Sequence, residues 1–111
     1  MMPSSKSVDS TLPTGCANYL NSNESARKVV MYLYTHHQWS KVSQIADEHY
    51  LNDGDIISIG RKLHGFGVIE KQHVDVTDKS RCGSYWKLAD RYRRQTKRYF
   101  DKFSAAGGDG V

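Results

Sequence analysis

VSQIADEHYLNDGDIISIGRKLHGFGVIEK, residues 42–71, is the stretch on which the fold turns. Val42, Ile45, Ala46 and Tyr50 recur at helical spacing and predict a short helix, with Ser40 or Ser43 as its N-cap. Tyr50 to Asp55 is dense in turn and capping residues. It opens directly onto Ile56, Ile59 and Leu63 at i, i+3 and i+7, which predicts another helix whose buried stripe is those three residues. Gly65 and Gly67, on either side of Phe66, mark its end, because glycine readily takes the left-handed conformation that terminates a helix. Two helices joined by a tight turn and followed by β-branched residues are the nucleus of the domain.

Upstream, Asn21 and Glu24 have capping-box spacing, and Ala26, Val29, Val30, Leu33, Tyr34 and His37 then repeat with helical period, predicting a first helix from Asn23 to His37. Trp39 sits in an interruption just long enough to add one edge strand pairing. Downstream, Val68–Val76 and Ser84–Leu88 alternate, with Trp86 and Leu88 on one face, around a polar segment Thr77–Gly83. This is a hairpin with a positively charged tip. From Asp90 a last helix carries two stripes, Tyr92, Thr96, Tyr99, Phe100 and Phe103 on one side and Arg91, Arg94, Arg98 and Lys102 on another. The expected order is therefore α-β-α-α-β-β-α, mostly α with a small antiparallel β-hairpin, over residues 24–103. Residues 1–23, rich in Ser, Asn, Thr and Pro, read as a disordered arm, and 104–111 as a flexible tail.

The 111 residues, 38% hydrophobic and 25% charged, suffice for one modest core and exclude a large enzyme fold. No apolar run approaches membrane-spanning length, and MMPSSKSVDSTLPTG lacks the apolar centre of a secretory signal, so an intracellular, cytoplasmic protein away from membranes is expected. Cys16 and Cys82 belong to no CxxC or CxxH pair and read as reduced thiols. The net charge of +4 is unevenly spread. Residues 79–102 hold nine basic and two acidic side chains, against seven and nine in residues 1–78. Such an end invites a polyanionic partner.

The chain from Trp39 to Leu88 resembles the winged helix-turn-helix family of DNA-binding domains. The likeness is carried by the apolar-polar pattern Val42-Ser43-Gln44-Ile45-Ala46, by Arg61-Lys62-Leu63 ending the third helix before Gly67-Val68-Ile69, and by the hairpin ending GSYWKLA. The resemblance implies a sequence-specific, double-stranded DNA-binding protein, a transcriptional regulator and homodimer, with the third helix in the major groove. If Ile56, Ile59 and Leu63 face the core, Asp55, Ser58, Arg61 and Lys62 turn outward, and Arg61 has the forked geometry that reads guanine O6 and N7. Lys79, Ser80 and Arg81 on the wing are the expected contacts to phosphates or the minor groove, with Lys41, Ser43 and Lys87 as further phosphate contacts. Tyr92, Tyr99, Phe100 and Phe103 either pack back onto the first helix or form a dimer face.

Asp47, Glu48, Asp53 and Asp55 cluster at the turn between the second and third helices, where phosphates would approach; Asp53 and Asp55 are candidate N-caps. With Ile57 beside them, they support the alternative that a protein partner docks through the acidic turn and third helix. No catalytic pattern is present. The histidines (His36, His37, His49, His64, His73) lack HxxxH or HExxH spacing, and neither a GxSxG elbow nor a phosphate-binding glycine loop occurs, so no enzyme activity, metal or cofactor is expected.

Overall fold

The computed structural model describes residues 12–104. Its elements are α1 (Cys16–Ser22), α2 (Glu24–Thr35), β1 (Ser40–Lys41), α3 (Val42–Glu48), α4 (Asp53–Phe66), β2 (Ile69–Val74), β3 (Gly83–Leu88) and α5 (Arg93–Phe103), with 3-10 turns at Lys79–Arg81 and Asp90–Tyr92. The architecture is that of a winged helix, mostly helical with a small antiparallel sheet. β3 lies centrally in the order β1-β3-β2, and the registers Ser40↔Trp86 and Lys71↔Trp86 place Trp86 in the middle of the sheet. The core joins Val29, Val30 and Leu33 of α2, Ile45 of α3, and Ile56, Ile59 and Leu63 of α4 to Val68, Ile69, Trp86 and Leu88.

The disordered arm expected over residues 1–23 is corrected in its second half; residues 1–11 and the greater part of the expected tail lie outside the described residues. Cys16–Ser22 is a helix with Cys16 and Leu20 wholly buried. Cys16 and Leu20 stand at i and i+4 on one face of the helix, Leu12 is buried in the segment that precedes it, and burying a leucine of this kind stabilises by about 1.5–3 kcal/mol. Arg27 fastens the helix in place: its Nη1 donates to the carbonyls of Leu20 (2.7 Å) and Asn21 (2.9 Å), and its guanidinium covers the Phe103 ring at 4.6 Å. Positive charge at these C-terminal carbonyls is favoured by the helix dipole.

The caps also differ from expectation. Asn23, not Asn21, caps α2, its Oδ1 accepting from Ala26 N–H at 2.9 Å. Asn21 instead accepts from the Tyr99 hydroxyl. Neither Ser40 nor Ser43 caps α3, whose N-cap position is Lys41; Ser40 is buried in the β1–β3 pairing.

α3 and α4 end in the same hydrogen-bond motif. At α4, Val68 N–H bonds to Leu63 O and Gly67 N–H to His64 O, with Gly67 left-handed (φ 81°). At α3, Leu51 N–H bonds to Ala46 O and Tyr50 N–H to Asp47 O, and the left-handed residue is Tyr50 (φ 57°). Glycine takes this conformation without cost, whereas a residue with a Cβ is strained by roughly 1–2 kcal/mol. Tyr50 receives no compensating burial, since its side chain is 95% exposed.

A second glycine is demanded by packing. Gly60 faces the Trp86 indole so closely that a Cβ there would lie 3.0 Å from Cε2 and nearer still to Cζ2 and Cη2.

Two opposite outcomes follow in thermal melts. Tyr50→Gly should stabilise the domain by about 1 kcal/mol, and Gly60→Ala should destabilise it by about 1–3 kcal/mol despite alanine's better helix propensity. A higher melting temperature for Gly60→Ala would contradict the close approach. The thiols provide a test of α1. Burial pushes Cys16 up to about 11, so only Cys82 should react with a disulfide reagent near pH 8, and Cys16 should react on unfolding. Equal rates for both would mean that α1 is not packed.

Candidate nucleic-acid interface

α4 is held by its inner stripe, Ile56, Ile59, Gly60 and Leu63, all buried. Helical rotation then turns Ser58 and Arg61 out to solvent, and both are exposed as expected. Lys62 is also exposed but lies on the flank toward α1, its ammonium 5.8 Å from the centre of the Tyr19 ring. The N-cap of α4 is Asn52, whose Oδ1 accepts from Asp55 N–H at 2.8 Å, so the expected capping role of Asp53 and Asp55 is corrected. Both carboxylates remain exposed in the first turn, where the helix dipole favours them.

The wing tip is shorter on its first strand and more ordered than the polar loop expected. β2 ends at Val74, and Lys79, Ser80 and Arg81 form a single 3-10 turn. Asp78 caps it, its Oδ1 accepting from Ser80 N–H (3.0 Å) and from the Ser80 hydroxyl (2.7 Å). Lys41 Nζ donates to Ser80 O at 2.7 Å, the Tyr85 hydroxyl donates to Arg81 O at 2.9 Å, and the Cys82 thiol donates to Val76 O at 3.0 Å. The side-chain and backbone hydrogen bonds from Ser80 hold the Asp78 carboxyl below its ordinary range. The Ser80 hydroxyl and Lys41 are thus committed to building the tip, and what the tip presents outward is Lys79 and Arg81. Asp78 lay within the expected tip but its capping role was missed, and Tyr85 was missed as a tip residue. The spacing Asp-x-Ser of an Asx turn was the available signal for the first.

The remaining expected contacts are dispersed. Ser43 is exposed at the start of α3. Lys87 is ion-paired to Asp90 at 3.6 Å. The aromatic stripe of α5 is used within the chain: Thr96 is fully buried, Tyr99 and Phe100 pack on the core, Tyr99 bonds to Asn21 of α1, and Phe103 lies under Arg27. Tyr92 is stacked by Arg91 at 5.1 Å. Arg93, which no sequence pattern singles out, donates to Tyr34 O and covers the Tyr34 ring, joining α5 to α2. Arg94, Arg98 and Lys102 stand exposed on the other stripe.

The cations therefore divide into two groups. Arg27, Lys28, Lys41, Lys62, Lys87, Arg91, Arg93 and Lys97 hold ion pairs, hydrogen bonds or rings. Among the described residues, Arg61, Lys71, Lys79, Arg81, Arg94, Arg98 and Lys102 are exposed and have no such partner. Also among the described residues, no cluster of three or more His, Cys, Asp or Glu side chains could hold a metal ion. No described helix is long and apolar enough to cross a membrane.

No family model matches the chain. No curated protein matches it either. Among solved structures it is similar to a MarR family regulator from Neisseria meningitidis (TM-score 0.55, 19% identity, covering 84% of this chain and 68% of that one). It is also similar to a MepR variant from S. aureus (TM-score 0.55, 18% identity, 85% and 68%). A third similar structure is ZitR from Lactococcus lactis, a zinc-responsive MarR family member (TM-score 0.55, 11% identity, 96% and 76%). At these identities the likeness is one of fold, and it agrees with the winged helix-turn-helix order read from residues 39–88.

The wing turn has a pH signature. Because the folded Asp78 value lies below the ordinary 3.8, its stabilisation is complete above that value and is lost as pH falls through the lower folded value. The Ser80 amide resonance should titrate with a midpoint below 3.8, and the titration should vanish in Asp78→Asn. A midpoint at or above 3.8 would remove the contact.

Proposed function

We propose that this winged helix-turn-helix chain binds double-stranded DNA and acts as a transcriptional regulator, with α4 in the major groove and the wing on phosphates or the minor groove. The observation that carries the reading is that cations without partners stand both on the outward face of α4, as Arg61, and on the tip of the adjoining wing, as Lys79 and Arg81, beside those on β2 (Lys71) and on the outer stripe of α5 (Arg94, Arg98 and Lys102). A solvated surface would not require the tip to be built by Asp78, Lys41, Tyr85 and Cys82 into a turn that displays two cations.

Each residue has a distinct task. The planar guanidinium of Arg61 donates two hydrogen bonds to guanine O6 and N7, and Ser58, one turn away on the same face, reaches a base edge or a phosphate. Lys79 and Arg81 neutralise phosphates and release counterions without reading sequence. The exposed carboxylates at the start of α4 oppose phosphate there, so the strongest phosphate attraction falls on the wing. Two copies related by a two-fold axis would present their α4 helices to half-sites about 34 Å apart. A monomeric mass by light scattering on the bound duplex would remove the dimer from the reading.

The two classes of contact separate experimentally. Arg61→Ala should reduce discrimination between a selected duplex and random DNA by about 1–3 kcal/mol with an unchanged melting temperature. Replacing Lys79 and Arg81 together by Ala should weaken all duplexes alike and flatten the logarithmic salt dependence by about 0.9 for each phosphate that is no longer neutralised. Sequence preference that survives Arg61→Ala, together with an unchanged salt slope in the double variant, would sink the reading.

A further inference from the structure

Ile57 follows the core residue Ile56, and helical rotation carries it to the flank of α4 that faces the wing, where it is 53% exposed. Across from it stands one face of the hairpin. Paired residues of an antiparallel ladder share a face, so Ile69 with Leu88, Lys71 with Trp86 and His73 with Ser84 succeed one another outward along the wing. The first pair is core, the second sets buried Trp86 beside exposed Lys71, and the third is polar. Between helix and hairpin runs an open groove of about 360 Å³, with Ile57, Val42 and Trp86 as its apolar lining and Lys71, Gln72, His73 and Ser84 as its polar lining.

The chemistry of this groove is mixed in a particular way. Its one large exposed apolar side chain is Ile57. Lys71 has no ion-pair partner among the described residues, and neither does Arg61, one helical turn from Ile57. An apolar protein segment would leave both cations unmatched. Duplex DNA supplies phosphates for cations and, on the major-groove edge, a single kind of apolar group: the 5-methyl of thymine.

We propose that Ile57 reads a thymine, closing on its 5-methyl group, while Lys71 across the groove meets an adjoining phosphate. This rests on the DNA-binding reading above and adds to it a base-specific apolar contact beside the polar contact of Arg61.

The test selects duplexes from a random pool with the full chain, then replaces each thymine of the selected site singly by deoxyuridine, which removes only the methyl group. Wild type should lose about fourfold in affinity at one thymine, as expected for one buried methyl-sized group. Ile57→Ala should be indifferent to that same replacement while retaining its helix content and melting temperature. Lys71→Gln should weaken every duplex alike and leave the deoxyuridine effect in place. A preferred duplex in which no thymine responds, or in which Ile57→Ala responds as wild type does, overturns the assignment of Ile57 while DNA binding stands. If no duplex is preferred, the DNA reading fails and the assignment with it. Capture of a protein that Ile57→Lys no longer holds would then give the groove to a protein partner.

Discussion

The packing of the Trp86 indole against the backbone of α4 at Gly60 is the constraint on which the rest of the interface depends. Trp86 occupies the central strand, paired through Ser40 to β1 and through Lys71 to β2, so its position is fixed by the sheet on both sides. α4 can approach it only where a side chain is missing, and Gly60 supplies that place on the buried stripe. The approach of the helix to the wing is thereby set by the contact of the indole with the backbone at Gly60. Ile57, Arg61 and Lys71 acquire their mutual arrangement from this approach, although none of them makes it.

A second organising feature is how positive charge is allotted. A basic chain end is easily taken as a surface that attracts polyanions, yet several of the cations act as structural fasteners. Arg27 closes the C-terminus of α1 and covers Phe103 of α5, and Arg93 joins α5 to the end of α2. Guanidinium groups suit this work because a planar, weakly hydrated fork can donate to carbonyls while stacking on a ring. The cations left over lie on α4, the wing and the outer stripe of α5, so the electrostatic surface is more selective than the net charge of +4 suggests.

The corner between α3 and α4 carries strain that the comparable corner after α4 avoids. Gly67 and Tyr50 occupy equivalent positions in the same terminating motif, but only one is a glycine. The motif forms at Tyr50 because Leu51 and Ala46 must both pack inward, and the hydrogen bonds from Tyr50 and Leu51 satisfy carbonyls that the short helix α3 would otherwise leave open.

Local periodicity was sufficient for α2, α3, α4 and the hairpin. Ile56, Ile59 and Leu63 announce a helical stripe, and Trp86 with Leu88 announces one face of a strand, because each pattern lies within a dozen residues and needs no distant partner. The outward position of Ser58 and Arg61 follows from the same geometry. What the sequence alone did not decide depends on contacts between segments far apart in the chain. Leu12, Cys16 and Leu20 are buried only because α2 offers a surface to cover, which is why residues 12–22 of the expected arm proved ordered. Asn23 and Asn52 cap where Asn21 and Asp53 are equally suited by residue type, since capping depends on where the packed helix starts. The need for glycine at position 60, the commitment of Lys41 and Ser80 to the wing, and the exposure of Ile57 beside Lys71 are likewise consequences of tertiary packing. Residue type specifies what a side chain is able to bind, and the fold decides which side chains are already occupied.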